Sequence, residues 1–541
     1  MALRTANLDQ LAQDRHDVLI VGGGINGAVS AAALAARGVR VALIDRGDFA
    51  GFTSAQSSNL IWGGIKYLES YDFRLVRKLC LSRNRLLQNY PASIREIRFL
   101  AAIPQVFRYH PLLLWLGAWL YWLLGDGFTA PPRLMPRGRL EQEEPIIDLG
   151  HCRGGFEYSD AYLPDSDARF VFGFIRTALD HGGVAANYVE SLGGRREGDR
   201  WVIRARDIIT DREFNIAAKA LINAAGPFVD EHNRFTGQRT EHRHVFSKGV
   251  HLIVDRLTPH PRVLAFFADD GRPFFAIPMG ERTCIGTTDT PTASPYTDVT
   301  DEDRQFVLEQ INRRLRLAHP LTRQDIIAER CGVRPLAVRR DAEEPADWLH
   351  LSRQHVIEVN VRDAHLSIFG GKLTDCLNVG DEVCEHVQRL GVALPQPEQI
   401  GYGEPPAAVR EAFLRQAREA ELDRFTEPGA AEPLSGRLWR RYDAAAFQLL
   451  DAIRHNPREA QPLIGGCIRS EIRLIREREM TVRLEDFLRR RTAIAQTARP
   501  EEIRNAPGLM ETCRILFGDE AQGKWLEYCR ENGLVTSARR D

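Results

Sequence analysis

A chain of 541 residues exceeds one ordinary hydrophobic core and is expected to divide into two or three domains. Its 44% hydrophobic and 27% charged residues exclude a disordered or fibrous chain, and a formal net charge of -1 excludes any global attraction to nucleic acid. Nine scattered cysteines, odd in number and with no C-x-x-C pair, argue against a disulfide framework and a zinc site, so a reduced cytoplasmic setting is expected and no metal.

The first residues, MALRTANLDQLAQDRHD, lack the apolar centre of a signal peptide and read as a polar lead-in. Asp17 to Asp45 then carries the strongest local signal in the chain. An apolar run (Val18 to Val21) meets Gly22, Gly24 and Gly27 in G-x-G-x-x-G spacing, a small-residue helical stretch follows, and a second apolar run ends on Asp45. The spacing predicts a βαβ unit: Gly22 for the tight turn, Gly24 for close approach to a pyrophosphate, Gly27 for helix–strand packing, and Asp45 as acceptor for a ribose hydroxyl. An acid at Asp45 would repel a 2′-phosphate, which disfavours NADP and leaves FAD and NAD.

After Asp45, small and hydroxyl residues (Thr53, Ser54, Ser57, Ser58) lead to Gly63-Gly64, a loop able to approach a ligand closely. Tyr71 to Tyr90 has helical periodicity with many Arg and Lys, which predicts a surface helix with solvated charges. His110 to Gly125 is apolar nearly all round but shorter than the about 20 residues that span a bilayer. It is expected either as a buried helix between domains or as an interfacial anchor, with Trp and Tyr at the headgroups beside Arg108 and Arg133.

Arg169 to His181 predicts a helix ending at Gly182-Gly183, and Trp201 to Phe214 a strand, a turn at Thr210-Asp211 and a second strand. Ala220 to Gly226 is a short apolar strand ending in small residues, able to pass beneath a cofactor. Further alternating strands turn at Gly280-Glu281 and around Thr287 to Asp289, a helix follows from about Asp301 to Leu317, and GYGEPP at 401–406 reads as a linker to an Arg-rich helical region. There Arg489, Arg490 and Arg491 are expected on a charged helix face. His242 and His244 are expected in an exposed loop rather than on a metal.

Five separated stretches carry a resemblance: TSAQSSNLIWGGIKYLE, GGFEYSDAYLPDSDARFV, FSKGVHLIVD with IPMGERTCIGTTD, CGVRPL, and LSIFGGKLTD. Together they are similar to the FAD-dependent glycerol-3-phosphate dehydrogenase family, over roughly Asp17 to Ala495. The chain departs from the family pattern at Trp62 (usually His), Asn59 (usually Lys), Lys66 (usually Arg) and Asp375 to Leu377 (usually Thr-Tyr-Arg).

The resemblance implies an α/β fold: a glutathione-reductase-like, Rossmann-type FAD domain, an antiparallel-sheet substrate domain and a C-terminal all-helical cap. The FAD domain would be discontinuous, about 15–100, 150–240 and 355–400, with the substrate domain at about 100–150 and 240–355, and the cap at 407–541. FAD would contact Gly22, Gly24, Asn26, Gly27, Asp45, Thr53, Ser54, Ser57, Ser58, Ala225, Gly226, Gly370, Gly371, Leu373 and Thr374. The implied reaction is oxidation of sn-glycerol 3-phosphate to dihydroxyacetone phosphate, with hydride to flavin N5 and electrons onward to quinone.

A phosphate handle calls for cations. The resemblance assigns Arg334, Arg353 and Lys372 to substrate, with Tyr67 lining the pocket and Lys66 beside the reacting centre. His251 is the expected proton acceptor, since an imidazole titrates near neutral pH. The implied setting is cytoplasmic and peripheral on the inner face of the membrane, docked through 110–125; nucleic acid is not an expected partner, and a homodimer is compatible. Two alternatives stand beside this reading: a paralogous flavin oxidoreductase or oxidase acting on another polyol or hydroxy acid, and a flavin-binding sensor or assembly protein that has lost turnover.

Overall fold

A computed structural model describes residues 2–268, 271–341 and 354–534. The strand Arg15–Val21 is buried from Val18 onward and pairs in parallel with Val41–Ile44 on one side and Glu213–Asn223 on the other. Continuous apolar runs of this kind belong at the centre of a sheet covered on both faces. His365–Phe369 and Val356–Asn360 extend the sheet beyond Glu213–Asn223, and Val184–Ala186 closes its opposite edge.

One face carries the helices Ile25–Ala36, Asp167–Asp180 and Cys376–Arg389 around a shared core. The other is covered by the antiparallel pair Val189–Glu197 and Arg200–Asp207 and by a helix at Ala2–Gln13, which contributes Leu8 and Leu11. That helix replaces the expected polar lead-in. Its Arg4 is buried and bound to Asp207 at 2.5 Å and to the Asn187 carbonyl, partners that no local pattern announces.

A second, ten-stranded sheet is mostly antiparallel, with one parallel contact between Arg262–Phe267 and Arg95–Pro104. Its long central ladder joins His242–Asp255 to Ala328–Arg339. The helix Asp301–Asn312 packs Val307 and Ile311 on one face, while Phe73–Asn89 and Pro111–Leu124 pack on the other. The Arg/Lys helix begins at the N-cap Asp72, but its charges are not all solvated: Arg83 is fully buried 2.6 Å from Asp160, because the sheet lies on that side of the helix.

Residues 407–531 form a helical layer around a core of their own, with one short ladder between Pro462–Ile464 and Cys467–Ile468. The arginine run is not a solvated face. Asp486–Arg491 is a π-helical segment, and Arg490 and Arg491 are buried against Asp48, in the turn after Val41–Ile44. His242 and His244 also differ from expectation, since both lie on the strand His242–Asp255 and His244 is buried. Among the described residues no group of His, Cys, Asp and Glu is placed to hold a metal, and no helix is long and apolar enough to cross a membrane.

Candidate active site

A cavity of about 400 Å³ opens at the carboxyl ends of Arg15–Val21 and Glu213–Asn223, where the chain crosses between neighbouring parallel strands. Open α/β sheets bind ligands at such edges. Gly22 adopts a φ of +109°, and a Cβ there would lie 2.4 Å from the Ala224 carbonyl oxygen; a Cβ on Gly27 would lie 1.8 Å from the Gly22 oxygen. The fingerprint spacing is thus enforced by contact, with Gly22 and Gly24 at the cavity wall and Gly27 behind it. The helix Ile25–Ala36 points its N-terminus at the cavity, so the helix dipole favours an anion there.

Asp45 accepts from the Gly23 N–H at 2.6 Å and the Gly47 N–H at 2.8 Å. Burial raises its carboxyl to about 6, partly opposed by those two bonds. Asn26 donates to the Gly370 carbonyl at 3.0 Å, and its buried Oδ1 has no hydrogen-bond partner among the described residues. Ser54 Oγ accepts from the Ile25 N–H, and Thr53 donates to the Val333 carbonyl. A glycine cradle, a carboxylate beside it, an orphaned buried acceptor and a helix N-terminus fit a dinucleotide.

Ala225, Gly226, Gly370 and Gly371 share this wall with Thr53 and Ser54. Of the remaining expected cofactor residues, Ser57 is turned to Asp167 and Asn59, Thr374 donates to the Trp62 carbonyl, and Ser58 and Leu373 do not line the cavity. Sequence reasoning missed several that do: Arg46, Phe52, Ser191, Arg204 and Arg206. Arg46 lies 3.5 Å over the Phe228 ring and within 5.7 Å of the Phe52 and Tyr296 rings, an arrangement assembled from three separate segments. His244, expected in an exposed loop, accepts from the Gly370 N–H at 3.1 Å and so holds the turn at the cavity's inner end.

The Tyr67 ring has the Lys372 ammonium 4.4 Å and the Lys66 ammonium 5.3 Å from its centroid. Arg334 precedes Pro335 of the cavity wall and is held by the Thr287 hydroxyl at 3.0 Å and by the Thr288 carbonyl and Asp289 at 3.3 Å. Its guanidinium rests on Gly249, where a Cβ would come within 2.3 Å, which explains a glycine in the middle of a long strand.

His251 is buried, and its Nδ1 has no hydrogen-bond partner among the described residues. Burial, and then the charges of Arg334 and Arg330, lower the imidazole to about 3. It is therefore neutral at pH 7, rather than titrating near neutrality as an exposed histidine would. Trp62 turns its indole N–H to the Tyr158 hydroxyl at 3.1 Å and packs edge-on to Phe275. Arg353 lies outside the described residues.

The helix Pro111–Leu124 reaches this region from outside. Tyr121 donates to Asp160 at 2.7 Å, and a Cβ on Gly63 would lie 2.1 Å from its hydroxyl, so the helix supports the Gly63-Gly64 turn that leads to Lys66 and Tyr67. Its opposite face is bare, with Leu112, Leu113, Leu116, Leu120 and Leu123 each 40–60% exposed. It is not the buried interdomain helix that its composition also allowed.

A family described as FAD dependent oxidoreductase matches residues 17–355. The chain is 31% identical over 507 residues to a glycerol-3-phosphate dehydrogenase of Pseudomonas aeruginosa, covering 90% of this chain and 93% of the relative. It is 29% identical over 488 residues to a D-erythritol 1-phosphate dehydrogenase of Brucella abortus, covering 88% and 94%. The solved structure of a Bacillus halodurans glycerol-3-phosphate dehydrogenase complexed with FAD superposes with a TM-score of 0.74 at 23% identity, covering 98% of this chain and 96% of that one, which is a likeness of fold.

Proposed function

The chain belongs to the FAD dependent oxidoreductases, within the glycerol-3-phosphate dehydrogenase family, and from that premise we propose that it oxidises sn-glycerol 3-phosphate to dihydroxyacetone phosphate. The cofactor is FAD. The observation that supports the substrate reading is the convergence of Lys66 and Lys372 on the Tyr67 ring, with Lys372 following Gly370-Gly371 and Arg334 preceding Pro335 of the cavity wall. A dianionic phosphate on a short polyol is the handle such a group selects.

Bound in the cavity, FAD supplies a two-electron acceptor for a substrate C–H bond. The chain's own residues do the rest. Lys66, Lys372 and Arg334 hold the phosphate, with Asp289 and Thr287 fixing the direction of Arg334. Neutral His251 accepts the hydroxyl proton. Its basicity is lowered first by burial and then by the charges of Arg334 and Arg330, and a phosphate drawn to Arg334 offsets the second of these.

Quinone is the acceptor in this reading, reached at a membrane surface by the leucine face of Pro111–Leu124, where apolar side chains entering the interface gain free energy in proportion to the area they bury. A four-carbon phosphorylated polyol is the second reading, favoured by the similarity to the erythritol phosphate enzyme over nearly the whole chain and by Lys66 in place of arginine.

The test is anaerobic reduction of the bound flavin by glycerol 3-phosphate, erythritol 1-phosphate and glycerol. Bleaching by glycerol 3-phosphate at the lowest concentration is expected; bleaching only by the longer phosphate moves the assignment to the second reading, and bleaching by neither phosphate removes both. Lys372→Met should weaken the phosphorylated substrate by about tenfold to 100-fold, the loss of one charge-assisted contact.

A further inference from the structure

We infer that the C-terminal helical layer is part of the FAD-binding apparatus: Arg490 and Arg491, through Asp48, position the Asp45–Gly51 turn, so that docking of this layer and affinity for FAD form one coupled equilibrium. Asp48 is fully buried and lines no part of the cavity. Arg491 grips its carboxylate with two bonds of 2.8 Å, Arg490 adds one of 2.7 Å, and Asn187 adds another of 2.8 Å. The two guanidiniums hold this carboxyl below its usual range against the effect of burial. Bidentate pairing of a buried carboxylate fixes direction as well as distance.

Asp48 stands between the C-terminal layer and the glycine cradle. Its carbonyl accepts from the Gly51 N–H, Ala50 donates to the Gly23 carbonyl at 3.0 Å, and Gly47 donates to Asp45. The turn is therefore pinned to Gly23 and Asp45 on the cofactor side and to Arg490 and Arg491 on the other. Arg491 is in turn fixed by the Glu479 carbonyl, and Asp486 joins Arg490 to the Tyr188 hydroxyl.

A second contact lies on the far side of Thr53 and Ser54. Arg489 donates to Gln56 at 3.1 Å, and Gln496 accepts from Arg330, which donates to the Ser57 carbonyl at 2.7 Å. Both ends of the segment 45–57 are held by residues more than 400 positions later in the chain. Removing one partner leaves a buried charge uncompensated, so the turn would relax before the rest of the sheet does.

Coupling of this kind is reciprocal. In the full-length apo-protein, saturation with FAD should slow hydrogen exchange in 45–51 and in 479–492 together; protection confined to the cavity lining would overturn the inference. Titration of apo-protein with FAD, followed by flavin fluorescence quenching, reads the other direction. Arg491→Met should raise the FAD dissociation constant about tenfold, and Arg491→Lys, which keeps the charge but not the fork, by less. Arg469→Met removes a charge pair with Glu511 inside the same layer, away from the first sheet, and should leave FAD affinity unchanged. Equal losses in Arg491→Met and Arg469→Met would reduce the effect to general destabilisation and overturn it. Should Arg491→Met not fold, the exchange measurement on the unmodified chain decides.

Discussion

Two helices in this chain are apolar on nearly every face, and the more apolar of them is the less buried. Ile25–Ala36 is mostly alanine and other small residues and buries every residue but its first. Pro111–Leu124, made of leucine and tryptophan, buries only Pro111, Ala118 and Tyr121. Side-chain size accounts for the difference. Small residues let the first helix lie between the sheet and its neighbours, where a Cβ on Gly401 would come 2.2 Å from the Ala32 oxygen. The leucines of the second helix cover more area than the one sheet face beneath it can receive, so five of the seven stay exposed. Apolar composition therefore marks an interior in one case and an outward surface in the other.

The comparison breaks most completely at Gly27. Gly27→Val places a branched side chain where even a Cβ would lie 1.8 Å from the Gly22 oxygen, so the helix must lift from the strand and the cradle opens. FAD affinity should fall by more than about 100-fold, a steric cost above the usual range for a single substitution. The measurement is flavin retention on gel filtration, followed by titration. Retention of a full complement of flavin would mean that the close approach of helix and strand is not what shapes the site.

The helix packed against this one, Cys376–Arg389, supplies the next largest effect. His355 is buried between Asp375 at 3.0 Å and Glu382 at 2.8 Å, with Lys78 3.3 Å from Asp375. Burial alone would lower the imidazole, but the two carboxylates outweigh it and raise it to about 9 from the ordinary 6.5. A raised histidine contributes its stability in full below pH 6.5 and loses it as pH rises through 9. That amounts to about 3 kcal/mol at 1.36 kcal/mol per unit. Asp375 and Glu382 are lowered by the same contacts, so their contributions fade only as pH falls below the ordinary carboxylate range. Urea midpoints between pH 6.5 and 10 should decline, and Asp375→Asn should flatten that decline; an unchanged slope would remove His355 from the account.

Ala32→Leu is the milder probe of the same interface. A leucine at a site with no exposed surface overpacks the helix against its neighbours and should cost about 1–3 kcal/mol in a urea titration. A stability gain would show unfilled space that the burial pattern does not suggest.

These positions also mark what could be read without coordinates. Gly22, Gly24, Gly27 and Asp45 were legible because their chemistry is local: a turn, a close approach and an acid at the end of the next strand, all within one βαβ unit. The five motifs likewise named Tyr67, Arg334 and Lys372, each in a short stretch with its own turn or strand signal, and the structure brings Lys372 to the Tyr67 ring. Arg83, Arg490 and Arg491 were not legible, because their partners Asp160 and Asp48 lie 77 to 443 residues away and charge on a helical pattern reads as solvated. His244 was misplaced for the same reason: its partner is the Gly370 N–H. The Val189–Leu192 wall of the cavity gave no signal at all, being an ordinary alternating strand.

The smallest effect on stability falls on the exposed helix, and there the comparison is sharpest. Leu116→Glu with Leu120→Glu replaces two side chains that are 53% and 40% exposed, so the fold should change by less than about 0.5 kcal/mol. Ala31→Glu, on the other helix at 1% exposure, introduces one unpaired charge into the core and should prevent folding. For the membrane docking proposed above, the leucine pair nonetheless carries the larger consequence. Burying each leucine in the lipid interface gains roughly 25 cal/mol per Å² of apolar surface, and a carboxylate reverses that gain. Wild-type protein should sediment with anionic vesicles, and the double variant should stay in the supernatant while keeping its flavin and its urea midpoint. Equal sedimentation of both would take the leucine face out of membrane docking. Loss of flavin in the double variant would instead show that the outer face of this helix, like Tyr121 on its inner face, acts on the Gly63-Gly64 turn, and the two helices would then differ less in role than in exposure.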